Sequence, residues 1–214
     1  MKVDTLLFDL DGTLIDTNKL IILSFVHTLE KYFPGQYKED DVLKFMGPPL
    51  EESFQELNPN KLDEMVQTYR TFNHEKHDEL VTAFDGVVDT IKTLHERGYK
   101  LGIVTTKIRP TVEMGLKLTG LDAYFDVVVT LDDVTHAKPD PEPVNLALSQ
   151  LGSNVESAMM IGDNSHDIEA GKNANVLTAG VAWAVKGREY LESYHPDYML
   201  EHPSDLLSIV GDET

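Results

Sequence analysis

Apolar runs of strand length alternate with amphipathic stretches along most of this 214-residue chain. Residues 3–10 form the first run. It closes on acidic residues and reads as a buried strand. A helical block follows. Asp16 or Thr17 can cap it, and Ile21, Phe25, Leu29 and Tyr32 recur at the spacing of one helix face. Pro34-Gly35 breaks that helix. Shorter helices are expected over 39–45 and 51–57, and a long one over 61–80 with Leu62, Met65, Tyr69, Phe72 and Leu80 near one stripe. The stretch 16–82 is therefore expected to be an all-helical cap, inserted into a core made of 1–15 and 83–214.

Beyond Asp85-Gly86 the rhythm changes. Helices are expected over 86–97, 110–119, 141–151 and 166–174, the first three stopped by Gly98, Gly120 and Gly152. Strands are expected over 100–105, 126–130 and 158–161, and 176–181, 198–200 and 204–210 continue the alternation. Strand and helix in turn imply an α/β fold with a doubly wound, Rossmann-like parallel sheet and right-handed crossovers. Such sheets bind ligands beyond the carboxyl ends of their strands. The helical insertion interrupts the first crossover and is expected over that end. Met159-Met160 reads as core, and Trp183 as a packing or rim residue.

Charge narrows the partners. The balance is 18 Lys+Arg against 37 Asp+Glu, a net −19. Such a chain repels nucleic acid and anionic membranes at long range, and free phosphate compounds too, unless a metal and a few placed cations reverse the field locally. With no cysteine, disulfides, thiol nucleophiles and thiolate-bound metals are excluded. The longest early apolar stretch, 20–23, is too short for a signal core or a membrane span, so a cytoplasmic location is expected.

The polar residues collect at strand ends. The first strand ends Phe8-Asp9-Leu10-Asp11-Gly12-Thr13, and the second ends Thr105-Thr106-Lys107. The loop after the third holds Lys138-Pro139, and the fourth ends Gly162-Asp163-Asn164-Ser165-His166-Asp167. Each signal alone has a plain structural account as a turn, a helix cap or a solvated loop. All four occur in order, each after a strand of one sheet. Together they suit a Mg²⁺-assisted phosphoryl transfer.

These residues resemble the haloacid-dehalogenase-like hydrolases, phosphatase branch, with a helical cap after the first strand. The resemblance rests on residues 7–14, 104–107, 138–141 and 161–167 and covers nearly the whole chain. Within the family the chain looks most like the phosphoglycolate-phosphatase group. The stretches 69–80 and 107–117 are similar to the pyrophosphatase branch of Gram-positive bacteria that works beside HPr kinase/phosphorylase. Asp85 stands where many relatives have proline.

The resemblance implies Asp9 as the nucleophile, forming an aspartyl-phosphate, with Asp11 as general acid and base. Mg²⁺ is expected on the Asp9 carboxylate, the Asp11 backbone carbonyl and Asp163, with Asp167 acting through a water. Thr105 and Lys138 are expected to stabilise the phosphoryl oxygens and restrain the nucleophile. Candidate substrate contacts are Thr106 and Lys107 on the core and Gly47, Arg70 and His74 on the cap. His27 and His77 are weaker candidates; His74 and His77 have a solvated helix face as their plainer account. Lys107, with Arg109 second, is nominated for the distal group of pyrophosphate. The expected substrate is inorganic pyrophosphate. The alternatives are a small phosphomonoester such as 2-phosphoglycolate, a sugar-phosphate mutase reaction, or a silent binding protein.

Overall fold

The computed structural model describes residues 3–211; positions 1–2 and 212–214 of the expected core lie outside the described residues. β1 (Thr5–Phe8) leads through a tight turn into the short β2 (Ile15–Asp16). Four helices follow: α1 (Asn18–Tyr32), α2 (Glu39–Val42), α3 (Leu50–Leu57) and α4 (Leu62–Leu80). After β3 (Thr82–Ala83) the chain alternates through α5 (Val87–Glu96), β4 (Lys100–Val104), α6 (Arg109–Thr119), β5 (Val127–Val129), α7 (Glu142–Leu151) and β6 (Ala158–Gly162). It ends with α8 (Ser165–Asn173), β7 (Leu177–Val181), α9 (Arg188–Glu192), β8 (Tyr198–Leu200) and α10 (Asp205–Ile209). Two compact units result, one of Met1–Asp16 with Thr82–Thr214 and one of Thr17–Val81.

In the first unit six strands run parallel in the order β5-β4-β1-β6-β7-β8. β1 is central: Thr5 stands level with Lys100 on one side and with Ala158 on the other. From β1 the chain winds out to β4 and β5, then crosses back to β6. The strand order therefore reverses beside β1, which is where such sheets open a crevice at their carboxyl ends. The central strands are mostly apolar and almost wholly buried, as strands covered by helices on both faces are. Leu6, Leu7, Met159 and Met160 are fully buried, each worth about 1.5–3 kcal/mol. Leu7, Val104 and Met160 pack with Val144, Ala147 and Leu148 of α7 and Ala170 of α8. The edge strands β5 and β8 are less buried.

The helical segment is flanked by a two-residue antiparallel pair, Ile15 opposite Ala83 and Asp16 opposite Thr82. The sequence pattern alone puts Asp16 and Thr82 in helical surroundings; two residues are too few to show a strand period. Thr17 occupies the N-cap of α1 without a side-chain cap bond.

In the second unit, Phe25 of α1 packs against Phe45, Phe54 and Tyr69, with ring centroids 5.5, 5.5 and 4.9 Å away. The buried line of α4 differs from the expected stripe. It runs Met65, Tyr69, Asn73 and His77, with Val66 beside it, while Phe72 is only partly buried and stacks on His27 at 4.5 Å. The line shares Met65 and Tyr69 with the expected stripe but turns polar halfway along, so an apolar count leaves it there for Phe72 and Leu80. Asn73 donates to Ser24 Oγ at 3.2 Å, Ser24 Oγ donates to the Leu20 carbonyl at 2.6 Å, and Thr28 Oγ1 to the Ser24 carbonyl at 2.8 Å. Among the described residues no helix is long and apolar enough to cross a membrane.

Candidate active site

Asp9 follows β1 directly. Its backbone N–H donates to the Ile161 carbonyl at 2.8 Å, which extends the β1–β6 pairing by one residue and stands the carboxylate at the carboxyl end of the sheet. The chain then turns sharply: the N–H groups of Leu14 and Ile15 both reach back to the Leu10 carbonyl, at 3.0 and 3.1 Å. Two glycines let the acidic segments close on one another. Gly12 has φ +81°, and a β-carbon there would strike the Asp163 carboxylate. A β-carbon on Gly162 would occupy the place of the Asp167 side chain.

Lys138 joins the strand ends. Its Nζ donates to Asp9 Oδ1 at 2.7 Å, to Asp167 Oδ1 at 2.6 Å and to the Val104 carbonyl at 2.7 Å. Those three bonds use all its donors, and the residue is only 4% exposed. Asp167 is held from both sides, because its Oδ2 accepts the Asn164 N–H at 3.0 Å in a capping box that opens α8.

Asp9, Asp163 and Asp167 are all buried, and each offers an oxygen within 4.8 Å of the others. Burial pushes the Asp9 carboxyl up to about 7; Lys138 opposes the shift, and the charges of Asp167 and Asp11 add to it. Burial, then the charge of Asp9, raises Asp163 well above the usual carboxylate range. Burial alone would lower the Lys138 pKa, but the charges of Asp167 and Asp9 outweigh it and the ammonium is held above its ordinary value. One ammonium faces three clustered carboxylates. This all-oxygen set, short of positive charge, fits a hard divalent cation.

Asp11 points to a different partner. Its Oδ1 accepts Lys107 Nζ at 2.5 Å, and both side chains are 17% exposed. Lys107 is therefore neither solvated nor a helix cap, the two plain accounts that its sequence position allows. Thr105, buried at the end of β4, donates its N–H to the Val129 carbonyl at 3.0 Å and accepts the Lys107 N–H on Oγ1 at 3.2 Å. Thr106 follows it, partly buried. Arg109 is committed elsewhere: its Nη2 donates to Asp133 Oδ2 at 2.5 Å and to the Val128 carbonyl at 3.2 Å.

Within the helical unit, Gly47 has φ +115°, in the loop before α3. Arg70 pairs with Glu51 at 2.5 Å, so a carboxylate already answers its charge. His74 is exposed on α4. His77 is not on a solvated face. It is fully buried, with Nδ1 2.9 Å from Asp78 Oδ1 and Nε2 without a partner.

Three side chains near the acids carry no motif. Lys186, half-buried after β7, has its ammonium depressed by burial, against the pull of Asp163 and Asp167. Tyr190 on α9 donates to Ser165 Oγ at 3.0 Å. Trp183 Nε1 donates to the Thr13 carbonyl at 3.2 Å and so ties the segment after β7 to the β1 turn. The strand-end rule that picks out the other loops applies equally after β7 and is the signal that could have found them.

A doubly wound sheet that gathers carboxylates and one buried lysine at its switch point places them where α/β proteins of this class bind ligands. The chain belongs to the haloacid dehalogenase-like hydrolases, matching that family over residues 6–181. Pyrophosphatase PpaX of Bacillus velezensis is 63% identical over 210 residues, spanning 98% of this chain and 97% of that protein. Its namesake in Anoxybacillus flavithermus is 61% identical over 211 residues, spanning 99% and 98%. A haloacid dehalogenase-like family hydrolase from Streptococcus pneumoniae has the same fold, with a TM-score of 0.85 at 28% identity over 97% of this chain and 98% of that one.

Proposed function

We propose that this hydrolase splits inorganic pyrophosphate into two phosphates through an aspartyl-phosphate on Asp9, with Mg²⁺ as its cofactor. The observation that carries the chemistry is Lys138, which holds Asp9 by one oxygen and leaves Oδ2 to attack phosphorus. The near-complete relatives that bear the name pyrophosphatase support the substrate. A carboxylate is a weak nucleophile, but it attacks without a base once its negative form is favoured. Bound Mg²⁺ supplies the charge that keeps the acid cluster ionised and stabilises the phosphoryl oxygens. Asp9, Asp163 and Asp167, with the Asp11 carbonyl, are the residues that hold it.

In the first half-reaction a lone pair of Asp9 Oδ2 forms the new P–O bond. The bridging P–O bond breaks, and its electron pair leaves with the second phosphate. Asp11 protonates that leaving oxygen. In the second half-reaction Asp11 takes a proton from water as the water attacks the phosphorus of the aspartyl-phosphate, and Asp9 is released. Thr105 and Lys138 steady the transferred group. Lys107, paired to Asp11, stands where Asp11 meets the leaving group, and in pyrophosphate the leaving group is the second phosphate. The helical unit serves as the cap, with Gly47, Arg70 and His74 as its candidate substrate contacts.

The test is a substrate panel on wild type and Asp9→Asn. Wild type is expected to prefer pyrophosphate over 2-phosphoglycolate and hexose phosphates, and Asp9→Asn to fall to background on all of them. Turnover within tenfold of wild type in Asp9→Asn would sink the nucleophile; a preference for a monoester would sink the substrate.

A further inference from the structure

A line of hydrogen bonds enters the acid cluster from the segment after β7, and no role assigned above uses it. Tyr190 Oη donates to Ser165 Oγ at 3.0 Å, and Ser165 Oγ donates to Asn164 Oδ1 at 3.2 Å. The Asn164 N–H donates to Asp167 Oδ2 at 3.0 Å, and Asp167 Oδ1 accepts from Lys138, which also holds Asp9. Ser165, Asn164, Asp167 and Lys138 are all buried, where such bonds are stronger than in water and reinforce one another.

The phenol is itself fixed. Lys186 Nζ lies 5.2 Å from the centroid of the Tyr190 ring, and the Tyr194 ring meets it edge-on at 5.3 Å and 62°. Nor is Tyr190 needed to cap α8, since Asn164 and Asp167 already satisfy the first turn. What the phenol does reach is the short turn between β6 and α8. That turn carries Asp163 at one end and Asp167 at the other, and Ser165 sits two residues from each.

We propose that Tyr190 is a positioning residue for the metal site. Acting through Ser165 and Asn164, it holds the β6–α8 turn so that Asp163 and Asp167 stay at ligand distance from Asp9. The proposal rests on the reading of these three acids as the metal ligands. Outer hydrogen-bond partners of this kind typically contribute about 10–100-fold to metal affinity. Tyr190 stands three hydrogen bonds away from Asp167, so the low end is expected.

The test is calorimetric titration of Mg²⁺ into the full chain without substrate. It compares wild type, Tyr190→Phe, Ser165→Ala, the double variant, and Asp163→Ala as the ligand-loss control. Tyr190→Phe keeps the ring and removes only the hydroxyl. It is expected to weaken Mg²⁺ binding about tenfold, and the double variant is expected to bind no worse than Ser165→Ala alone. In turnover, the loss is expected in the half-saturating Mg²⁺ concentration and to shrink as Mg²⁺ is raised. Mg²⁺ affinity within twofold of wild type in Tyr190→Phe, or losses that multiply in the double variant, would overturn the proposal. A wild type that takes up no Mg²⁺ would overturn the metal reading and this proposal with it. A wild type that binds, an Asp163→Ala that does not, and an unaffected Tyr190→Phe would overturn this proposal alone.

Discussion

The strand ends of the α/β unit and the α1–α4 seam of the helical unit both bury polar side chains, on different terms. At the strand ends every donor of Lys138 is used, and Asp167 is held through both oxygens. The acids remain crowded all the same, and burial lifts Asp9 and Asp163. In the seam Asn73, Ser24 and Thr28 satisfy one another or nearby carbonyls, but His77 Nε2 and Thr17 Oγ1 are buried with no partner. At the strand ends Lys138 and Asp167 are fully bonded, though Thr13 Oγ1 in the β1 turn is buried without a partner, and the acid cluster is short of positive charge. The seam is uncharged in its bonded part and short of bonds. Charge shortage invites a cation, which is a function. A missing bond is only a cost, about 1–3 kcal/mol for a buried group. The two regions should therefore answer opposite perturbations, and that difference can be tested.

The largest effect is expected at Lys138. Lys138→Met keeps the unbranched stem, one atom shorter, but leaves Asp9 and Asp167 buried without their ammonium. Breaking a buried pair from one side typically costs about 3–5 kcal/mol, and turnover is expected to vanish with the fixed nucleophile. Urea unfolding with and without Mg²⁺ measures the first quantity. A loss under about 1 kcal/mol would mean that Lys138 carries little of the cluster's stability, and the contrast with the seam would fail.

Next comes metal removal, read against pH. In chelator, folded Asp9 titrates near 7 and the unfolded chain near 3.8; Asp163 is shifted in the same direction. Between those values the folded state holds protons that the unfolded state has released. Metal-free stability is thus expected to fall as pH rises from about 4 to 7. Mg²⁺ competes with those protons, so its stabilisation is expected to grow over the same range. At a hundredfold excess over Kd it amounts to about 2.7 kcal/mol, or roughly 5–10 °C in Tm for a chain of this size. Melting curves at pH 5 and pH 8, in chelator and in Mg²⁺, check it; a gap that does not widen with pH contradicts the charge-shortage account.

The two regions are also unequally legible in the sequence. Each of Asp9, Thr105 and Asp163 directly follows a short apolar run, so the apolar pattern alone locates the strand ends, and a parallel sheet brings strand ends together. The pairing of Lys107 with Asp11 is not legible, because it depends on side-chain reach across two loops. Tyr190 and Lys186 follow a strand as the others do, but without a motif to draw attention to them. In the helical unit the apolar pattern misleads. Asn73 and His77 occupy buried positions that hydropathy assigns to solvent, and Phe72 takes a more exposed one. The pair of Ile15 and Asp16 with Ala83 and Thr82 is too short to leave any period.

Lys107 sharpens the strand-end side of the comparison. Its ion pair with Asp11 gives two routes to a rate effect. If it meets the second phosphate, Lys107→Ala is expected to lower kcat/KM for pyrophosphate well beyond its effect on a neutral-tailed monoester. One charge-assisted contact is worth about 1.5–3 kcal/mol, or roughly 10- to 150-fold, and the difference is expected to shrink with added salt. Equal losses on both substrates would show Lys107 acting only through Asp11.

The smallest effect is expected at His77, and its sign is the point. The ring is fully buried, its Nδ1 leans on the exposed Asp78, and its Nε2 meets nothing. In a seam short of bonds, removing the polar atom removes a cost: an apolar side chain of similar size no longer strands a nitrogen away from water. His77→Leu is therefore expected to be neutral or to stabilise the chain by up to about 1 kcal/mol, since some of the gain goes to imperfect fit. Turnover at saturating Mg²⁺ provides the check that the rest of the chain is undisturbed. His77→Asn separates polarity from volume, because it keeps a polar atom at the site but shortens the side chain, and it is expected to destabilise by about 1–3 kcal/mol. If His77→Leu instead costs more than about 2 kcal/mol by urea unfolding, the imidazole has a buried partner that stabilises the α1–α4 seam. The His77 site would then be satisfied as Lys138 and Asp167 are, and the difference between those groups would reduce to charge alone.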